Sequence, residues 1–492
     1  TGDAGSGSFA GSLSGSAGLV KRGAGSFTLT GDHSYTGPTT VQAGTLLVNG
    51  TLASLTLAVD GGALSLGGAN RLADSAAVSV ASGAMMTLGG ADTIGSLLLA
   101  GTLNGSFTLS AASYALDGGT VNAQLGAGSL SSTGNSRLNG SAAATLVAVD
   151  GGTLTLGAAN LLADAAAVSV AGGATLSIQH SDTVGTLALA GTLAGSGTLT
   201  ASTVTLSGGT VNANLGPGTV ASSGSSTLNG LAASDTVTLA GGMLTLGAAH
   251  RFSAAPAITV GAGATLSTGT DQVFGSLAGA GNVQLGSAAL TTGSAGSSSF
   301  AGNLSGSGQL TKTGASTFTL AGANAFSGTA NVAAGSLAVD GTLAASVLNI
   351  NAGSLILGAS ERLADNAAVT VAAGGTLSLA GSETVGSLVL SGRLDGIGSL
   401  TAPTYALSGG TVAAGAHLGA GTLTSSGASQ LDGSSGANLV SITSGRLTLG
   451  SAERLSNSAA VSVDAGAALR LNGDETVGSI TLSGTLDGTG KL

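Results

Sequence analysis

The sequence contains no cysteine, so no disulfide staples any part of it. That absence suits a chain that crosses an oxidising compartment unfolded, where a disulfide would lock a bulky loop. Aromatic residues are 2% and charged residues 7% of 492 positions, against about 25% charged in ordinary globular domains. The surface must then be built mostly from Ser, Thr, Ala, Gly and Asn. Twelve Lys and Arg face 22 Asp and Glu, a formal net charge of -10. This balance argues against nucleic acid, whose phosphates reward cations, and against an anionic membrane surface. No run of about 18 apolar residues exists, so no transmembrane helix is expected. No signal peptide opens the chain; an exported protein would carry its targeting segment outside this stretch.

Glycine is abundant, at 88 residues, with only 4 prolines. Disorder needs low hydrophobicity and high net charge. Here 43% of residues are hydrophobic and the mean hydropathy is +0.49, so a folded chain is expected.

The dominant pattern is repetition. The stretch Leu19 to Gly50 recurs 291 residues later, at Leu310 to Gly341. Ser8-Phe9-Ala10-Gly11 returns as Ser299-Phe300-Ala301-Gly302, and Thr1-Gly2 as Thr292-Gly293. Residues 1–291 therefore form a first long unit, and 292–492 a second, incomplete one continuous with it. Leu492 corresponds to Leu199 after a two-residue insertion, which suggests a window cut from a longer array. A shorter period lies inside. The tetrapeptide Leu-x-Leu-Gly begins at Leu64, Leu154, Leu244, Leu355 and Leu447, at spacings of 90, 90, 111 and 92. A fixed period means a solenoid or array rather than separate globules.

Within each subrepeat, short runs alternate Leu, Val or Ile with Ser, Thr or Ala, a period of two that puts one face inward and one outward. LTLAV at 55–59, LSL at 64–66 and VSV at 78–80 are examples. Turn signals such as Asp60-Gly61-Gly62, Asp150-Gly151-Gly152 and Asp340-Gly341 separate them. Strands this short bury no core alone. Coiling the chain so that each strand stacks on its equivalent one turn later does, and it predicts an all-β, parallel β-helix (β-solenoid) rod. The scarcity of aromatics fits a narrow core of Leu, Val and Ala. Coils of roughly 20–30 residues would each advance about 4.8 Å. A β-propeller is the alternative fold, disfavoured by the uneven 111-residue spacing.

Leu19 to Gly50 resembles the autotransporter-associated β-strand repeat, also called the passenger-associated transport repeat. The matching features are Lys21, Gly23-Ala24-Gly25, Phe27 to Leu29, Gly31, Tyr35-Thr36-Gly37, Thr39-Thr40-Val41 and Ala43-Gly44-Thr45-Leu46. The second copy keeps Lys312, Gly314, Phe318-Thr319-Leu320, Gly322, Phe326-Ser327-Gly328, Val332 and Ala334 to Leu337, and loses the central Thr pair. The resemblance implies a Gram-negative exoprotein, secreted at the cell surface as an autotransporter or by a two-partner system, and commonly an adhesin or biofilm protein.

Residues that could carry chemistry are sparse. His33, His180, His250 and His417 lie far apart and read as surface or turn histidines, although His250 aligns with Asn70 and Asn160. Asp92, Asp182, Asp271, Glu383 and Glu475 recur in an acidic-Thr-Val-Gly-Ser-Leu motif. One acid per subrepeat cannot give calcium its six to eight oxygens, and these acids read as turn residues bonding nearby amides. Arg71 with Asp74, Glu361-Arg362 with Asp365, and Glu453-Arg454 read as loop-stabilising ion pairs; Asp164 lacks an Arg and Arg251 an acid. A glycosidase would need clustered carboxylates. The expectation is no enzyme, no catalytic, cofactor or metal residues and no cofactor.

The remaining expectation is a structural and adhesive surface exoprotein whose hydroxyl-rich rods self-associate into biofilm or matrix, or bind glycans or host surfaces. Two alternatives stay open: a spacer that carries a separate receptor-binding domain, and an enzyme-bearing passenger.

Overall fold

In the computed structural model of the chain, residues 5–492 are described; the Thr1-Gly2 part of the repeat lies outside them. The described residues form strands, turns and bends with no helix. Strands pair in parallel with equivalents one coil on, from Gly7–Phe9 near the start to Thr485–Gly488 near the end. The protein is an all-β parallel β-solenoid. Propeller blades of successive hairpins would pair antiparallel, and the pairing rules them out.

The chain divides into two compact units, Thr1–Ser234 and Asp235–Leu492. The border of the 291-residue repeat falls inside the second, where the strand Ala289–Thr292 runs through it.

In the first unit each coil has three sides. Thr56–Val59 runs along the first, the Asp60-Gly61-Gly62 corner follows, and Ala63–Leu66 runs along the second. Gly62 makes the corner at φ 73°, and its equivalent Gly152 at φ 58°. This left-handed region is open to glycine without steric cost. The third side is a short bridge, where His33 pairs Leu52 and Leu52 pairs Leu72. Alternation decides the facing: Leu57, Val59, Leu64 and Leu66 are at most 1% exposed, while Thr56 points out.

Like stacks on like. Leu57, Val78, Leu97, Tyr114, Leu130 and Val147 form one inward column. Each step is 16 to 21 residues, so five coils make one 90-residue subrepeat. Most coils fall below the expected 20–30 residues and the longest just reach it, because two sides take only about four residues each and the corners are tight glycine turns. A column of Leu46, Leu64, Met86, Leu103, Val121 and Leu138 fills the core from the second side.

The second unit follows the same plan. One inward column runs Leu310, Ala330, Leu348, Val369, Leu388 and Tyr405. Phe300, Phe318 and Phe326 are fully buried here, around the second copy of the 30-residue motif. Tyr114 and Tyr405, 291 residues apart, bury their rings and satisfy their hydroxyls in the same way. Each accepts an amide at 2.8 Å, from Ala111 and Ala402, and donates to the carbonyl of Leu109 or Leu400.

Candidate functional site: carboxylates and lysines inside the coil

Four of the five recurrent acids are not turn residues. Asp92, Asp182, Glu383 and Glu475 are at most 4% exposed and sit at inward positions of the third side. Each reaches back one coil to two consecutive amides. Arg71 N and Leu72 N donate to Asp92 Oδ2 at 2.7 and 3.3 Å. Leu161 N and Leu162 N do the same to Asp182, at 2.8 and 3.3 Å. The longer glutamates spread the load: Arg362 N donates to Glu383 Oε2 and Leu363 N to Oε1, both at 2.8 Å. Glu475 takes Arg454 N and Leu455 N at 2.8 and 2.7 Å.

The two amides converge because of the residue before them. Asn70, Asn160, Glu361 and Glu453 hold φ between 51° and 53°. A left-handed residue turns the following amides to one side and makes a small anion-binding concavity. Asparagine accepts this conformation readily, glutamate at a cost of about 1–2 kcal/mol. A fifth copy is built on His250, also at φ 51°. This explains why His250 aligns with Asn70 and Asn160 in the sequence.

In that fifth copy Asp271 is not the inward group. It is exposed, and its carboxylate accepts Ala289 N at 2.8 Å. Gln272 takes the buried position, accepting Arg251 N at 3.1 Å and donating to Ala248 O at 2.8 Å. The signal was present in the alternation, since Gln272 shares the inward parity of Phe274 and Asp271 does not.

Burial pushes the carboxyls of Asp92, Asp182, Glu383 and Glu475 above their ordinary range, partly offset by the amides they accept. An elevated acid in a cleft would be a catalytic candidate. These acids instead accept backbone amides inside the coil, one acid per five coils in the first unit. Among the described residues no three His, Asp or Glu side chains are grouped to hold a metal ion.

The arginine–acid cluster does not form as expected. Among the described residues the ion pairs are Arg393–Asp395, Arg446–Asp487 and Arg470–Asp487; none joins Arg71 to Asp74 or Arg362 to Asp365. Two of the arginines that follow the left-handed residue, Arg251 and Arg454, fold back onto backbone. Arg454 Nε donates to Ala452 O at 2.9 Å, and Arg251 Nη2 to Ala249 O at 2.9 Å. Asp74 and Asp365 stand on exposed loop positions, where a salt bridge returns little for the entropy of holding two long side chains.

Three histidines are exposed, His180, His250 and His417. His33 is not: it is 1% exposed, stacked on Phe9 at 5.9 Å between ring centres. Its Nδ1 accepts Leu13 N at 3.1 Å, and burial holds its pKa below the usual value despite the neighbouring Asp32.

Lys21 and Lys312 were legible as motif positions but not as buried ones. Both side chains are 0% exposed. Lys21 Nζ donates to the carbonyls of Arg22, Gly23 and Ala43 at 2.9, 2.6 and 3.0 Å. Lys312 Nζ donates to Thr313, Gly314 and Ala334 at 2.6, 2.9 and 3.2 Å. The ammonium has three donors and no acceptor, so it clips a corner to the corner one coil on. Inward parity with Leu19 and Leu310 was the available signal. Burial lowers the pKa of Lys312.

Comparison with family models matches the passenger-associated-transport-repeat at residues 19–48 and 310–339. Comparison with curated proteins and with solved structures gave no match. Each matched segment spans two stacked coils, Leu19–Lys21 under Thr39–Val41 and Ser26–Leu29 under Thr45–Val48 in the first copy, with the buried lysine between them. The chain is a β-solenoid that carries two passenger-associated transport repeats, the form consistent with an autotransporter passenger.

Proposed function

We propose that this chain is a structural, adhesive exoprotein, secreted or displayed at a bacterial surface, whose coils self-associate to build matrix, and that it is not an enzyme. The observation that carries this reading is where polarity is spent. The inward acids and lysines hold backbone, while the outer strands present neutral hydroxyls and amides. Asparagines even form ladders along one side: Asn122 Nδ2 donates to Asn104 Oδ1, and Asn139 Nδ2 to Asn122 Oδ1, both at 2.7 Å. A surface with so few charges offers little repulsion to a second copy. Edge charges normally oppose such contact.

The test is sedimentation of the 492-residue chain over a wide concentration range, with and without calcium. Concentration-dependent association supports the reading. A monomer under all conditions overturns it and assigns the chain a spacing role.

A further inference from the structure

In the first unit the outward positions of one sheet face, from Thr56 to Ala221, hold only Thr, Ser, Ala and two Leu. No charged side chain stands on this face across ten successive strands. The second face of the same unit carries Arg137, and the acids Asp60, Asp117 and Asp150 are exposed at the corners. The two leucines protrude: Leu98 is 51% and Leu146 59% exposed. Each borders a shallow depression, of about 390 and 350 Å³, lined by small side chains at positions 90 residues apart, such as Ala77 and Ala167 or Ser79 and Ser169. The face therefore has both projections and hollows, and it has them twice.

We propose that this face is where two copies of the chain pack on one another, parallel and level about a two-fold axis. The proposal rests on the self-association reading and names its surface. Nine steps of about 4.8 Å and a width of about 13 Å give roughly 550 Å² per copy, or about 1,100 Å² for the pair, just above the ~1,000 Å² that a specific interface needs. A parallel two-fold sets the two outward columns against each other within one coil, so Leu98 meets Ser96 of the second copy and Leu146 meets Ala148. Isologous contact is reciprocal, so each pair forms twice. Charge favours the same arrangement. Asp60, Asp117 and Asp150 line one edge, and Asp74 and Asp164 stand on loops at the other. Held level, no acid faces an acid of its own coil. An antiparallel pair centred on Ser129 would set Asp117 against Asp150.

The test uses the full chain. Ser129 is exposed at the middle of the face, so Ser129→Lys places two ammonium groups within the proposed contact without touching the core. Association should weaken at least tenfold, while Thr175→Lys on the second face leaves it unchanged. Leu146→Asn provides a second reading if Ser129→Lys disturbs the far-ultraviolet circular dichroism. The native chain lacks cysteine, so single spin labels at Thr56→Cys and Thr219→Cys report the packing directly. Parallel packing gives inter-copy distances under about 20 Å at both sites; a distance beyond about 30 Å at either overturns the parallel register. Wild-type association that survives both Ser129→Lys and Leu146→Asn overturns this face but leaves self-association standing. A wild-type chain that never associates overturns both.

Discussion

Asp92 and Arg71 stand 21 positions apart in the chain, yet the Asp92 carboxylate reaches back one coil and accepts the backbone amide of Arg71 at 2.7 Å. The side chain does here what a backbone carbonyl does elsewhere in the column. It carries one coil's hydrogen bonding across a residue, Asn70, whose left-handed backbone breaks the regular ladder.

Removing that acceptor should be costly. Asp92→Ala leaves the amides of Arg71 and Leu72 without their partner, at about 1–3 kcal/mol for each buried donor. Asp92→Asn keeps a carbonyl oxygen and should lose less than half as much. Urea unfolding of the two variants checks the order. Faster amide exchange at Arg71 and Leu72 in the alanine variant alone would locate the effect.

Acid should stabilise this protein through the same groups. The folded-state pKa values of Asp92, Asp182, Glu383 and Glu475 lie above the ordinary values of 3.8 and 4.5. The folded chain thus binds these protons more tightly than the unfolded one. Their stabilising share is complete below the ordinary values and is lost as pH rises through the raised ones. The denaturation midpoint should rise as pH falls from 7 towards 5. Glu383→Gln, which copies the natural Gln272, should flatten part of that slope; an unchanged slope would sink the assignment.

His33 should act in the opposite sense. Burial depresses its pKa below 6.5, so its contribution is present above that value and lost as pH falls through the lowered one. Protonated Nδ1 can no longer accept Leu13 N. The protection factor of the Leu13 amide, its exchange rate relative to a free amide at the same pH, should fall on acidification while that of Arg71 rises. The two amides moving together would contradict the pairing.

The buried lysine should matter more than its charge. Lys312→Met keeps the apolar stem but leaves three carbonyls without the ammonium, and we expect a loss of about 2–4 kcal/mol. Lys312→Arg should not rescue it, because a planar fork does not converge on three carbonyls at one point. Gly335, at φ 64° in the same motif, gives a companion test. A Cβ there would strike the carbonyls of Gly314 and Ser316, so Gly335→Ala should also destabilise. Thermal midpoints of the three variants measure this.

Much of this molecule could be read before it was seen. Period-two alternation set which side chains enter the core, from Leu57 to Leu471, because successive residues of a strand face opposite ways whatever they pair with. The 90-residue recurrence pointed to coils stacking like on like, because a strand of four residues has no other way to bury one face. The buried sites were only half legible. Recurrence singled out Asp92, Asp182, Glu383 and Glu475, and parity could have exchanged Asp271 for Gln272. The tertiary structure decided their partners. Coils of 16 to 22 residues bring Asp92 under Arg71 and Lys21 against Ala43 at separations no local pattern encodes. Whether a charge meets solvent, another charge or a row of amides depends on which residue the next coil places beside it.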